Sequence, residues 1–307
     1  MDGLVLVDKP PDVTSHDVVA RLRQIFSLQK IGHFGTLDPL ATGLLLAAVG
    51  KATRFSPFFS QLDKVYLGTI RLGFSTDSYD RTGVPVAEES RDYPDGDEVR
   101  RAMKTFEGEI SQTAPPFSAK KHRGRPLYTF ARRKNIVLLP PFRVRVDSFG
   151  LRDYHPPYLD FEVRCSSGTY IRSLAHDLGQ RLGCGAHLAE LVRTAIGEFR
   201  LKDSFSVEKI KDLAQSGRTA EFLKPLESLL PAFPKLELTQ SGLALVQAGR
   251  PILPQHLVQP EPWDILLSAP AGQKEAIFRL FSPEGRLVAL AKRRETPLSF
   301  SPFLVLA

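Results

Sequence analysis

Two cysteines in 307 residues, Cys165 and Cys184, are too few for a disulfide framework or a cysteine-built zinc site. Cys165 alternates with charged neighbours as a strand core position does, so both read as reduced and structural. The seven histidines are scattered, without the close pairs of a metal-binding helix, and no metal site is expected. No run approaches the roughly 18 apolar residues of a membrane span. The opening Met1-Asp2-Gly3-Leu4-Val5-Leu6-Val7-Asp8 has no basic leader region, which predicts a cytoplasmic protein without membrane contact. Internal repeats and low-complexity tracts are missing as well.

Acidity is missing from one long stretch. Between Ile110 and Val146 there is no Asp or Glu, against nine basic residues: Lys120, Lys121, Arg123, Arg125, Arg132, Arg133, Lys134, Arg143 and Arg145. Those nine exceed the +7 net charge of the whole chain. Rigid prolines and aromatics are interleaved (Pro115, Pro116, Phe117, Pro126, Tyr128), which suits an arm that grips a phosphate backbone and offers rings for stacking. A solvated basic loop is the plainer alternative, but the length of the acid-free span favours nucleic acid.

Apolar spacing predicts a strand at 4–7 and a helix opening at Thr14-Ser15-His16-Asp17, with Val18, Val19, Leu22, Ile25 and Phe26 on one face. A buried strand is expected at 44–49, and further strands at 64–72, 143–149 and 159–165. Helices are expected at 97–106 and from Thr169 through Leu182. Strands interleaved with helices, without a regular βαβ rhythm, give an α+β fold with a mixed, largely antiparallel sheet and flanking helices. Near residue 230 the texture changes, with Pro231 and Pro234 bracketing a link. A helix at 239–248 and strands at 265–268, 275–281 and 286–292 make a small β-rich second domain. The expected division is 1–230, with the basic arm inserted at about 112–145, and 235–307.

Three places can carry chemistry. In Gly32-His33-Phe34-Gly35-Thr36-Leu37-Asp38-Pro39-Leu40-Ala41-Thr42-Gly43 a single carboxylate, Asp38, sits in a loop shaped by glycines and a proline. It reads either as a turn aspartate satisfying backbone N–H groups or as a catalyst. In Cys165-Ser166-Ser167-Gly168-Thr169-Tyr170-Ile171-Arg172, Arg172 falls in the first turn of a helix, where the dipole disfavours a cation, so it needs an anionic partner. If that partner is Asp38, the pair holds the carboxylate ionised. Asp77 and Asp80 share a polar loop that could supply a second carboxylate. Tyr66, mid-strand, reads as packing on pattern alone, and His33 as an exposed loop histidine.

Five separated blocks then resemble the TruB branch of RNA pseudouridine synthases, in that family's order: Asp8-Lys9-Pro10 with Thr14-Ser15; His33-x-Gly35-Thr36-Leu37-Asp38-Pro39-Leu40-Ala41-Thr42-Gly43; Gln112-x-x-Pro115-Pro116-x-Ser118-Ala119-x-Lys121; Gly168-Thr169-Tyr170-Ile171-Arg172; and Gly185-Ala186-His187-Leu188-x-x-Leu191. The resemblance covers nearly the whole chain. It implies conversion of uridine to pseudouridine in the T loop of tRNA, at position 55, by base flipping, with no cofactor. It implies Asp38 as catalytic aspartate, Arg172 as its ion-pair partner and Tyr66 as the ring stacked under the target uracil. His33 resembles the residue that helps evert the nucleotide, Tyr170 and Leu191 resemble base-pocket residues, and Lys9 is expected nearby. The segment 115–134, with Lys120, Lys121 and Arg123, resembles the family's RNA-gripping thumb, and residues from about 235 resemble a PUA-like RNA-binding domain. The implied partner is the tRNA T arm, met by a monomer without an obligate protein partner. The departures are Asp12 where the family usually has Gly, Val192 within a Leu-Arg-Arg run, and Arg133-Lys134 in place of a Gly after the arm.

Other function classes remain open on the sequence. One is a non-catalytic tRNA binder or folding chaperone using the same basic arm. Another is a guide-RNA-dependent synthase, which the long arm disfavours. A glycosidase that cleaves without rejoining wants a second carboxylate, and only Asp77 or Asp80 offers one.

Overall fold

The computed structural model describes residues 1–118, 120–122, 124–131, 137, 139–258, 276–295 and 298–306. The expected strand at 265–268 and the arm residues Arg123, Arg132, Arg133 and Lys134 lie outside the described residues. Contacts divide the chain into two compact units. One comprises Val5–Ala47 and Phe55–Phe222, the other Met1–Leu4, Ala48–Arg54 and Leu223–Ala307.

The larger unit holds most of β1 (Gly3–Lys9), all of α1 (Ser15–Phe26) and β2 (Ile31–Phe34), most of β3 (Thr42–Val49), and all of β4 (Lys64–Leu72), α2 (Gly96–Lys104), β5 (Gly108–Gln112), β6 (Phe142–His155), β7 (Tyr158–Cys165), α3 (Ile171–Leu182), β8 (Ala186–Ile196) and α4 (Val207–Gln215). From β1 the sheet runs β1-β3-β8-β4-β7-β6-β5, and β2 also pairs with β3. The β3–β8 pair is parallel. The pairs β8–β4, β4–β7, β7–β6 and β6–β5 are antiparallel. The sheet is therefore mixed and largely antiparallel, as the pattern predicts.

Helix α1 starts where Thr14 predicts. The Thr14 side chain accepts from the Asp17 N–H and the Asp17 carboxylate returns a bond to the Thr14 N–H, a capping box. Helix α3 lays Ile171, Leu174, Ala175 and Leu178 into a cluster with Tyr66, Ile70 and Leu72 of β4, Phe161 and Val163 of β7, and Leu188 and Leu191 of β8. Each fully buried aliphatic side chain contributes about 2 kcal/mol by area, so α3 is firmly seated and its first turn is a rigid platform. That turn begins at Ile171 and not at Thr169, because the Thr169 hydroxyl donates to Ser166 O at 3.0 Å and closes the preceding turn.

Strand β6 runs six residues past the expected end at Phe149. Its register shifts between Val146 and Ser148 and again between Leu151 and Asp153, which breaks the alternation a sequence pattern relies on. In the second unit, β9 (Lys235–Glu237), α5 (Gln240–Gln247), β10 (Ile277–Phe281), β11 (Leu287–Glu295) and β12 (Leu298–Val305) form a four-stranded sheet in the order β9-β10-β11-β12. Leu236, Val246, Phe278, Leu280, Ala289 and Phe300 fill its core.

Candidate active site

Asp38 lies in the loop between β2 and β3, and the loop is braced on both sides of it. The Ser15 hydroxyl, at the start of α1, accepts from Leu37 N–H at 2.8 Å and donates to Leu37 O at 3.2 Å. Beyond the aspartate, Pro39 O accepts from Lys9 Nζ at 3.2 Å and from Asp12 N–H at 2.9 Å. Lys9 gives its other two protons to Pro10 O and Val13 O, both at 2.8 Å. An ammonium has three donors, so Lys9 is fully engaged as a brace. Burial lowers its pKa to about 8, against the charges of Asp12 and Asp38. The loop then closes on β8 through Gly43, at φ 96°, where a Cβ would stand 2.5 Å from Arg193 O. Only glycine accommodates both that torsion and that approach.

The partner of Arg172 is Asp38. Arg172 Nε donates to Asp38 Oδ2 at 2.8 Å and Nη2 to Oδ1 at 2.7 Å, a bidentate fork. The remaining nitrogen, Nη1, reaches Phe117 O at 3.1 Å, Ser78 O at 3.4 Å and Asp80 Oδ2 at 3.4 Å. The side chains of Arg172 and Asp80 are each 5% exposed, whereas that of Asp38 is 33% exposed. The cation is thus enclosed, and the carboxylate it holds is the part open to a ligand. Two carboxylates around one guanidinium outweigh the helix-dipole cost of a cation in the first turn, about 0.3–1 kcal/mol.

Asp80 was legible only as a spare carboxylate. Its Oδ1 accepts from Ser78 Oγ at 2.8 Å, Thr82 N–H at 2.9 Å and Thr82 Oγ1 at 2.6 Å. Its loop is tied to β8 by Arg81 N–H to Leu188 O at 2.9 Å and Leu188 N–H to Tyr79 O at 3.0 Å. These are long-range bonds that no local pattern announces.

Tyr66 is buried mid-way along β4, opposite Arg193 of β8. Sequence reasoning passed over Arg193, which is fully buried and donates from Nε to Leu44 O at 2.8 Å and from Nη2 to Gly35 O at 2.9 Å. Its strand also carries His187, Glu190 and Thr194, so one more polar residue did not stand out in the pattern. Burial pushes the Tyr66 phenol up, with the Arg193 cation opposing, so at neutral pH Tyr66 is a protonated phenol. His33 on β2 is pushed down, first by burial and then by Arg193 and His16. It is a neutral imidazole there. Leu191 packs in the cluster that holds Tyr66 and Leu37.

Tyr170 is half-buried just before α3. Burial raises its phenol, the nearby Ser118 hydroxyl and then the Arg172 cation oppose this, and Asp38 adds to it. The Phe142 ring meets Tyr170 edge-on, with centroids 6.1 Å apart. Lys120 places its ammonium 3.3 Å from the Phe142 ring centroid. Of the expected arm contacts, the Lys121 side chain and Arg123 lie outside the described residues. Arg143 and Arg145 are engaged within the sheet region, Arg143 with Glu109 at 3.6 Å and Arg145 with Asp63 at 2.9 Å and Asp147 at 2.8 Å. The structure therefore puts Arg172, Lys9, Tyr66 and Tyr170 among the neighbours of the Asp38 carboxylate and Leu191 in the apolar cluster with Leu37, sets Lys120 against the Phe142 ring, and places His33 near Arg193 and His16.

Comparison with known proteins gives a consistent result. Residues 23–171 match the family model "TruB family pseudouridylate synthase (N terminal domain)" and residues 172–231 match "tRNA pseudouridylate synthase B C-terminal domain". The chain is 42% identical over 250 residues, 81% of its length and 85% of the relative's, to a tRNA pseudouridine synthase B of Solibacter usitatus. It is 50% identical to that of Opitutus terrae, over 69% of this chain and 88% of the relative. A Dehalococcoides mccartyi relative of the same name is 39% identical over 98% of this chain and 95% of its own length. Among solved structures, a chain of an H/ACA RNP bound to a substrate RNA containing 2′-deoxyuridine is 26% identical with a TM-score of 0.71, covering 99% of this chain and 85% of that one.

Proposed function

The chain belongs to the TruB family of pseudouridylate synthases, and from that premise we propose that it isomerises uridine to pseudouridine at position 55 in the T loop of tRNA, with Asp38 opening the reaction. The observation that carries this is the bidentate Arg172–Asp38 pair, in which an enclosed cation presents a partly open carboxylate.

Conversion breaks the C1′–N1 bond, rotates the uracil and joins C1′ to C5. The C5 proton leaves and N1 gains one, so atoms and electrons balance without a co-reactant or cofactor. A carboxylate attack at C1′ or C6, or removal of the C2′ proton, each starts from an ionised and oriented Asp38. A fixed guanidinium fork supplies that orientation before the substrate arrives. The base has to leave its stack to reach a carboxylate in a loop. The Tyr66 ring supports it from below, Tyr170 and Leu191 close the pocket, and His33 helps evert the nucleotide. As a phenol, Tyr66 serves proton transfer from C5 by donating and then relaying a proton, and not as a resting base.

The two-carboxylate chemistry of a cleaving glycosidase finds no support, because Asp80 accepts bonds on one oxygen and faces Arg172 with the other. The insertion at about 112–145 grips the T arm, and residues 235–307 act as a PUA-like RNA-binding module. The groups proposed to act on the base, Lys9, His33, Asp38, Tyr66, Tyr170, Arg172 and Leu191, all come from the larger unit of one chain, which suits a monomer working on cytoplasmic tRNA without an obligate protein partner or guide.

The test is purified protein alone with an unmodified tRNA transcript carrying tritium at uracil C5, in the presence of a chelator. Tritium release mapping to position 55 is expected. Salt-sensitive binding without release would favour a tRNA binder or chaperone.

A further inference from the structure

Gln112 is the last residue of β5 and pairs with Phe142, the first of β6, so residues 113–141 leave and return through this one pair. Gln112 is 1% exposed. Its Nε2 donates to Tyr170 O at 3.0 Å, and its Oε1 accepts from Tyr170 N–H at 2.8 Å. Tyr170 is the N-cap of α3 and has no side-chain cap bond of its own. A side chain from another strand therefore fixes both main-chain groups of the residue that launches α3.

The same neck holds the next residues too. Ser173 Oγ donates to Thr113 O at 2.8 Å, Arg172 Nη1 donates to Phe117 O at 3.1 Å, and the Phe142 ring abuts Tyr170. Tyr170, Arg172 and Ser173 are each tied to the base of the insertion. A bidentate fork tolerates little displacement, and a shift of about 1 Å at a reacting group can cost about 10²-fold in rate.

We propose that Gln112 is a positioning residue: by clamping the main chain of Tyr170 it sets where Arg172 presents its guanidinium to Asp38, and so couples the neck of the insertion to the carboxylate. Gln112 touches neither Asp38 nor the base, and acts only through α3.

The activity half of the test rests on the function proposed above, so a second readout stands apart from it. Gln112→Met keeps the length of the side chain and removes both bonds. Single-turnover rate at saturating tRNA is expected to fall about tenfold or more, with tRNA Kd within about twofold of wild type. By NMR, the Arg172 Nε proton, assigned by its loss in Arg172→Lys, is expected to exchange with water faster than in wild type, because its hold on Asp38 is loosened. If Gln112→Met does not fold by circular dichroism, Ser173→Ala, which removes one hydroxyl from the same neck, carries both measurements with the same expectation. An unchanged saturating rate with unchanged Arg172 exchange in the folded variant would overturn the proposal. So would a loss explained wholly by weaker binding. If wild type itself releases no tritium, the activity assignment fails, and Arg172 exchange alone decides the positioning role.

Discussion

Arg172 grips both oxygens of Asp38, at 2.7 and 2.8 Å, across 134 residues of sequence, and turns its third nitrogen toward Asp80. One buried cation thus serves two carboxylates, only one of which is open. Arg172→Lys replaces a fork by a point charge that cannot reach both oxygens of Asp38 and the carbonyls beside it. Single-turnover rate is expected to fall about 10²-fold. The melting temperature is also expected to fall, since a buried network is left part-unsatisfied. Wild-type kinetics in this variant would contradict the role given to the fork. Asp80→Asn keeps an acceptor for Ser78 and Thr82 but removes charge beside Arg172, and a smaller loss, about tenfold, is expected.

Tyr66→Phe separates ring from hydroxyl. The ring stays packed in the α3 cluster, so tRNA binding is expected within about twofold of wild type, while the rate falls about 10²-fold if the phenol relays a proton. Equal rates would reduce Tyr66 to a stacking surface.

The frame of this molecule was legible and its joints were not. The limits 64–72 match β4, and Thr14 opens α1 as the capping pattern says. Those elements carry their signal in local alternation or in a cap. Strand β8 carries register shifts at Leu188/Glu190 and Arg193/Ala195, which blur its period and hid the buried Arg193. Asp38 and Arg172 were each suspect from local chemistry, one in a shaped loop and one cation misplaced on a helix dipole. Asp80 and Gln112 matter through bonds to residues 92 and 58 positions away, and a single chain read in order gives no reason to join them.

Lys64 is buried, donates to Ser60 O at 2.8 Å, and has its pKa lowered from 10.5 to about 8, mainly by desolvation. Its folded pKa lies below its unfolded one, so the unfolded state binds more protons between about pH 8 and 10.5, and stability rises with pH there. The penalty is full below pH 8 and gone above 10.5. Unfolding free energy measured against pH is expected to rise less steeply across this window in Lys64→Met than in wild type. Parallel curves would contradict a buried cationic lysine.

Asp12 adopts φ 60°, a left-handed torsion that glycine takes freely. Asp12→Gly relieves about 1 kcal/mol of strain and adds a comparable unfolded-state entropy, so chemical denaturation is expected to shift by less than about 1 kcal/mol. A loss above about 2 kcal/mol would mean that the Asp12 carboxylate, a charged neighbour of Lys9, is needed to hold the loop.

The most direct measurement is single-turnover tritium release from C5-labelled tRNA by Asp38→Asn, beside its tRNA affinity. Asn preserves shape, and Arg172 keeps Asp80 as its anionic partner, so the fold and binding are expected to survive. The account predicts affinity within about threefold of wild type and release at background, since an amide supplies no ionised oxygen to open the reaction. Release at the wild-type rate would show that the carboxylate held by Arg172 is not the group that starts the isomerisation.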